Sequence, residues 1–294
     1  MKILFVYNPV AGQLQIKNHL WSIINYFCSG DIELTVHATQ ENKDAYKVVK
    51  KQAGKYDKII CCGGDGTLHE VVNGMMETGS SRVLGFIPAG SVNDFATSLN
   101  LPRNMEQAAR LAMEGQPKSI DIGKFNDEYF TYVAAFGVFT DIGYITTQEM
   151  KNLLGRLAYF FQGVKSVALM KTYRVKIRHG NEEFEDEYIY GMVSNTVLVG
   201  SLYKMPNQDV QLDDGLFEVT LIKAPNDLIE LGSIGPYLLT GKGDNDLVKI
   251  FKTNSIEVII DEQIPWTLDG EYGGNPKTVK IEVIEKALNL IYQE

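Results

Sequence analysis

Residues 57–74 read DKIICCGGDGTLHEVVNG. An apolar run turns on Gly63 and Gly64, sets Asp65 and Thr67 around Gly66, and continues from Leu68 with helix-like periodicity. Strand, glycine turn and helix in that order form one unit of a parallel α/β sheet, whose ligands collect beyond the carboxyl ends of the strands. Without side chains at Gly63, Gly64 and Gly66, backbone N–H groups can approach phosphate oxygens, and the helix start adds its dipole. The same residues also read as a tight turn with Asp65 or Thr67 capping a helix.

The pattern around this segment repeats the rhythm. KILFVY (2–7), IELTVH (32–37) and VLGFIP (83–88) are further strand candidates, and LQIKNHLWSIINYF (14–27) and NKDAYKVVKKQAG (42–54) carry helical spacing. From about Ile120 the rhythm changes to β-branched and aromatic runs: YFTYVAAF (129–136), YRVKIRH (173–179), YIYGMVSN (188–195), LFEVTLI (216–222), SIEVII (255–260) and TVKIEVI (278–284). The expected fold class is an α/β N-terminal domain followed by a mainly antiparallel β domain. The expected division is 1–118 and 119–294, with KALNLIYQE (286–294) assignable to either part. Helical insertions are expected at 148–170 and 225–240.

At 294 residues, 45% of them hydrophobic, the chain is long enough for two cores. Its 28 Lys and Arg against 37 Asp and Glu give a net charge of −9, which argues against broad nucleic-acid binding. Cys28, Cys61 and Cys62 lack zinc-site spacing and fit a reducing cytoplasm. The first residues do not form a signal peptide, and no apolar run is long enough to span a bilayer, so a soluble protein is expected. The acidic run 182–187 reads as a solvated strand edge.

Four loops fall at the expected carboxyl edge of the sheet: NPVAG (8–12), HATQE (37–41), GGDGT (63–67) and PAGSVND (88–94). Two small-residue loops at one edge exceed what helix capping needs and favour phosphate binding. Neither a Walker loop nor a dinucleotide fingerprint is present. In QLDDG (211–215), Asp213 and Asp214 form an Asx turn or supply hard oxygen ligands. In TLDGEYGG (267–274), the DGE sequence is a hairpin turn or presents a carboxylate to an acceptor hydroxyl.

Taken in order, NPVAG, GGDGTLHEVVNG, PAGSVNDFA, QLDDGLFEV and LDGEYGG resemble the bacterial diacylglycerol kinase family of soluble lipid kinases over nearly the full chain. The resemblance implies a nucleotide-binding domain akin to those of phosphofructokinases and NAD kinases, a C-terminal β-sandwich, and an active site in the cleft between them. It implies ATP contacts at Asn8, Pro9, Val10, Ala11, Gly12, Thr39, Gly63, Gly64, Asp65, Gly66, Thr67, Leu68, His69 and Ser91, with Asn93 in the same loop. Ser91 stands where the family usually has Thr, and His69 where it often has Asn. A structural Mg²⁺ would take the Asp214 carboxylate and the carbonyls of Gln211 and Leu216. Glu271 matches the family's proton acceptor, with Asp269 before it. Asp65, Asp94 and Asp121 are expected to organise water and the Mg²⁺ that accompanies ATP.

A lipid kinase must reach its substrate at an interface, and the basic, aromatic segment 151–170 is the expected contact with a membrane surface. The expected activity is transfer of the ATP γ-phosphate to a lipid hydroxyl, with diacylglycerol as acceptor and phosphatidic acid as product, by a cytoplasmic enzyme peripheral to the membrane. An exposed β edge leaves room for a homodimer. The rivals are an NAD kinase-like enzyme, against which QLDDGLFEV and LDGEYGG count, and a catalytically silent lipid-binding regulator.

Overall fold

The computed structural model describes residues 1–14, 16–91, 93–138, 170–196, 198–199, 203–204, 211–240 and 245–293. They divide into a first unit, Met1–Ile122 with Glu285–Glu294, and a second, Gly123–Ile284.

In the first unit β1 (Lys2–Tyr7), β2 (Glu33–Ala38), β3 (Lys58–Gly63) and β4 (Val83–Pro88) alternate with α1 (Ile16–Phe27), α2 (Asp44–Gln52) and α3 (Asp65–Glu77). The strands pair in parallel in the order β4, β3, β1, β2, with Gly63 opposite Pro88 and Tyr7 opposite both Cys62 and Ala38. Every residue of β3 is buried, as expected of a central parallel strand covered on both faces. Ile3, Phe5 and Ile60 pack with Ile16, Ile23 and Phe27 of α1 on one face. Two further helices follow, α4 (Asp94–Ser98) and α5 (Met105–Glu114). The Asn104 side chain caps α5 by accepting the N–H groups of Glu106 and Gln107, each at 3.0 Å. The buried Lys58 ammonium donates to Ala112 O and Met113 O at the other end, and burial lowers its pKa. The next strand, β5 (Pro117–Phe125), lies mostly in the first unit.

The second unit is antiparallel. Its strands are β6 (Glu128–Phe130), β7 (Val133–Gly137), β8 (Tyr173–His179), β9 (Glu182–Ser194), β10 (Leu198–Val199), β11 (Tyr203–Lys204), β12 (Phe217–Lys223), β13 (Val248–Thr253), β14 (Ser255–Ile260), β15 (Trp266–Leu268), β16 (Glu271–Tyr272) and β17 (Thr278–Ile291). The long strand β9 is the hub, pairing with β7, β8 and β12. Alternation sends Phe136, Phe217, Val219 and Trp266 into one core, where Phe136 and Trp266 ring centres lie 4.8 Å apart. The acidic run 182–187 is the exposed half of β9, answered across the strand by Arg174, Lys176 and Arg178. α6 (Leu228–Thr240) matches the expected helix at 225–240, whereas the one at 148–170 falls largely outside the described residues.

The terminal KALNLIYQE segment belongs with the first unit. There the end of β17 pairs in parallel with β4, placing Asn289 opposite Val83. No helix among the described residues is long and apolar enough to cross a membrane.

Candidate active site

In the first unit three of the expected loops interlock at the carboxyl edge of the sheet. Asn8 donates from Nδ2 to Thr67 Oγ1 at 3.2 Å, while its Oδ1 accepts the Val10 N–H at 3.0 Å, so the NPVAG turn is tied to the start of α3. Gly12 has φ +54°, and a Cβ there would stand 2.1 Å from Ala89 O. A Cβ on Gly90 would stand 2.5 Å from Gly64 Cα, so GGDGT and PAGSVND approach backbone to backbone. Asn93, itself at φ +56°, closes the second loop by accepting the Gly90 N–H and donating to Gly90 O. The Asp65 carboxylate accepts the N–H groups of Asp94 at 3.2 Å and Phe95 at 3.4 Å, which fixes α4 against α3.

The result is the start of a 13-residue helix, α3, with Gly64 as its N-cap and no side chain capping it. A helix start of this kind suits an anion. Thr67 is buried, Leu68 is buried behind it, His69 is half-buried beside Asn73, and Ser91 is exposed. Pro9 and Val10 lie on the open side of their turn and Ala11 on the buried side. Thr39 follows β2 and donates its N–H to Tyr7 O at 2.9 Å, beside the Asn8 turn. Asp121 is wholly buried in the same unit, and its Oδ1 accepts the Lys286 N–H at 2.7 Å.

In the second unit the LDGEYGG segment is a hairpin whose turn residues, Asp269 and Gly270, have φ of +51° and +87°. Two positive φ values in succession are what a type I′ turn requires, and Asp-Gly is a favoured pair for it. The Asp269 side chain is almost fully buried. Its Oδ2 accepts Thr131 N and Oγ1 at 2.7 and 2.9 Å, and its Oδ1 accepts Tyr132 N and Val133 N at 3.0 and 3.2 Å. Asp269 N in turn donates to Val133 O at 2.8 Å. The turn is therefore clamped to the entry of β7, and Glu271, directly after it, is exposed. One carboxylate holds and the next is available to solvent.

Asp214 lies in the turn before β12. Its Oδ1 accepts the Leu216 N–H at 3.0 Å, an Asx turn, and its Oδ2 meets Lys252 Nζ at 3.2 Å. The same ammonium lies 3.2 Å from Glu218, whose side chain is fully buried. Burial raises the Glu218 pKa while Lys252 opposes that rise. No group of three or more His, Cys, Asp or Glu suited to a metal occurs among the described residues. The expected set at Asp214, one carboxylate with the carbonyls of Gln211 and Leu216, is of another type. A carboxylate has about four lone-pair positions, so after two hydrogen bonds Asp214 retains capacity for a hard cation.

The sequence reading did not anticipate Thr131, Lys252 or Glu218. Thr131 and Asp269 are 138 residues apart, and no local pattern links them. The glycine in PAG was a usable signal, because a second bare residue opposite Gly64 is what permits the close approach.

Two family models match consecutive parts of the chain. Residues 2–125 match the diacylglycerol kinase catalytic domain, and residues 135–292 match the YegS C-terminal NAD kinase beta sandwich-like domain. The chain is 35% identical over 272 residues to a diacylglycerol kinase of Bacillus subtilis, covering 92% of this chain and 89% of that one. It is 34% identical to a diacylglycerol kinase of Staphylococcus carnosus, covering 92% and 88%. A crystal structure of a diacylglycerol kinase from Bacillus anthracis superposes with a TM-score of 0.75 at 26% identity, covering 99% of this chain and 97% of that one. The chain belongs to the diacylglycerol kinase family, and it is a lipid kinase with an α/β catalytic domain and a β-sandwich domain.

Proposed function

We propose that the chain transfers the γ-phosphate of ATP to the free hydroxyl of diacylglycerol, giving phosphatidic acid, in a Mg²⁺-dependent reaction. The observation that carries this reading is the pairing, in one chain of this family, of an uncapped glycine-lined helix start with an exposed carboxylate on a clamped hairpin.

The roles follow from the chemistry of the residues. Asn8 to Gly12, Thr39, Gly63 to His69, Ser91 and Asn93 hold the nucleotide, with backbone N–H groups of the α3 start and the short hydroxyls taking phosphate oxygens. Glu271 accepts the proton of the acceptor hydroxyl as its oxygen attacks phosphorus, and Asp269 fixes the turn that presents Glu271. Asp65 and Asp94 order the phosphate edge, and Asp121 braces the strand return behind it. Mg²⁺, when bound, neutralises phosphate charge, and a separate structural ion fits the oxygens of Gln211, Asp214 and Leu216. We assign nucleotide handling to 1–118 and acceptor handling to 119–294, with the last residues returning to the first part. The enzyme works in the cytoplasm and touches the membrane surface transiently to meet its lipid, alone or as a homodimer.

Incubation with γ-labelled ATP, a total lipid extract and added NAD tests the reading. Label in phosphatidic acid is the expected outcome; label in NADP, or none in any lipid, overturns it.

A further inference from the structure

Four side chains on one face of the second unit's sheet are buried and lack a full set of partners. Among the described residues, Tyr190 OH, Ser194 Oγ and Thr220 Oγ1 make no hydrogen bond, and neither does Glu218 Oε2, whose other oxygen faces Lys252. The four residues are 0–1% exposed. The register puts them together. Ser194 on β9 lies directly opposite Glu218 on β12, Thr220 follows two residues along the same face, and Tyr190 lies opposite the next residue on that face, Ile222. The other face of the same strands carries Val193, Phe217, Val219 and Leu221 into the aromatic core, so this polar strip is a separate feature.

Buried hydroxyls ordinarily find partners, because each one left alone forfeits its hydration with no return. Three in succession on one sheet face mark a surface completed by a ligand. Ser194 lies opposite Val133, whose carbonyl accepts the Asp269 N–H, so the strip begins two strand spacings, roughly 10 Å, from the catalytic hairpin. A glycerol backbone with its ester groups, together with the Glu271 side chain, spans such a distance.

Resting on the diacylglycerol reading, we propose that Tyr190, Ser194 and Thr220 form the subsite that binds the ester carbonyls of the acceptor. Hydroxyl groups donate to ester oxygens, which have no proton of their own. Among these groups the hydroxyls supply the donors, and the Glu218 carboxylate beside them already meets Lys252 at 3.2 Å, so the strip suits a neutral acceptor.

The test compares 1,2-dioctanoylglycerol with 1,2-di-O-octylglycerol, which keeps the hydroxyl and chains and lacks the carbonyls. The wild type is expected to show a lower KM for the diester. Thr220→Val and Ser194→Ala are each expected to raise the diester KM by roughly 3–10-fold, the worth of one neutral hydrogen bond, while leaving the diether KM and the MgATP KM unchanged. Thr220→Val keeps side-chain shape and removes an unpaired hydroxyl, so its melting temperature should be equal or higher. Should Thr220→Val fail to fold, Ser194→Ala and the wild-type diester-to-diether ratio decide. Equal KM values for the two lipids in the wild type, or variants with an unchanged diester KM, overturn the subsite alone. A wild type that phosphorylates neither lipid overturns the diacylglycerol reading itself.

Discussion

Replacing Asp269 with Asn keeps the size of the side chain and removes half of its accepting capacity. The carboxylate takes four hydrogen bonds, two at each oxygen, from Thr131, Tyr132 and Val133. In Asn one oxygen becomes an NH₂ group that faces donors, so at least the Thr131 pair or the Tyr132 and Val133 pair is lost. The Thr131 hydroxyl can rotate to accept, which makes Thr131 N the group left without a partner. A hydrogen bond to a charged acceptor contributes about 1.5–3 kcal/mol, so losing the one from Thr131 N and exchanging the hydroxyl's for a neutral bond predicts a destabilisation of roughly 2–4 kcal/mol. For a unit of this size that corresponds to a melting temperature lower by roughly 4–16 °C. The chain has two tryptophans, Trp21, which is 79% exposed, and Trp266, which is 1% exposed and lies in the same core as the clamp. A thermal melt followed by tryptophan emission therefore reads the second unit through Trp266. A shift below about 2 °C would refute the claim that this carboxylate clamps the hairpin.

Gly64→Val places a branched side chain where Gly90 Cα lies 3.3 Å from the Cβ position, a contact that the loop can relieve by a small shift. It is expected to fold while ATP binding, followed by calorimetric titration, weakens at least about 10-fold, the cost of roughly 1.4 kcal/mol of lost phosphate contact. Asp214→Ala removes one neighbour of Lys252 and the sole carboxylate of the proposed structural cation site; metal content after gel filtration in Mg²⁺ and the melting temperature should both fall, and no change in either would defeat that assignment. Burial pushes the Cys62 thiol up to about 12 and Cys61 well above its ordinary value, while Cys28 is exposed. A raised thiol pKa keeps the unreactive neutral form through pH 9, so a disulfide reagent should titrate one thiol in the native protein and three after denaturation.

The parallel half of the fold was legible because its signals are local. DKIICC is apolar at nearly every position, as a strand covered on both faces must be, and the glycines after it announce the turn. In the second unit YRVKIRH alternates cleanly and falls on β8, but YIYGMVSN is only the buried end of β9, whose first half is charged. Hydrophobic patterning cannot find a strand half held by Arg174, Lys176 and Arg178 across a ladder. At the candidate site the loops were readable from small residues, yet their mutual locking was not. Asn8 with Thr67, and Asp65 with the α4 backbone, are contacts between residues 29 or more positions apart. Asp269 is the clearest case: DG signals a turn, while the four donors that hold its carboxylate come from a segment more than 130 residues earlier.

The central claim rests on Glu271, exposed at the end of a clamped turn, as the proton acceptor for a lipid hydroxyl. The direct measurement is the rate of label transfer from γ-labelled ATP to dioctanoylglycerol by the wild type and by Glu271→Gln, with ATP affinity measured on both. The account predicts phosphatidic acid from the wild type, unchanged ATP affinity in the variant, and transfer lower by roughly 10²–10⁴-fold, the worth of a positioned base. Near-normal transfer by Glu271→Gln, with transfer abolished in Asp65→Asn that still binds MgATP, would contradict it and move the base to Asp65.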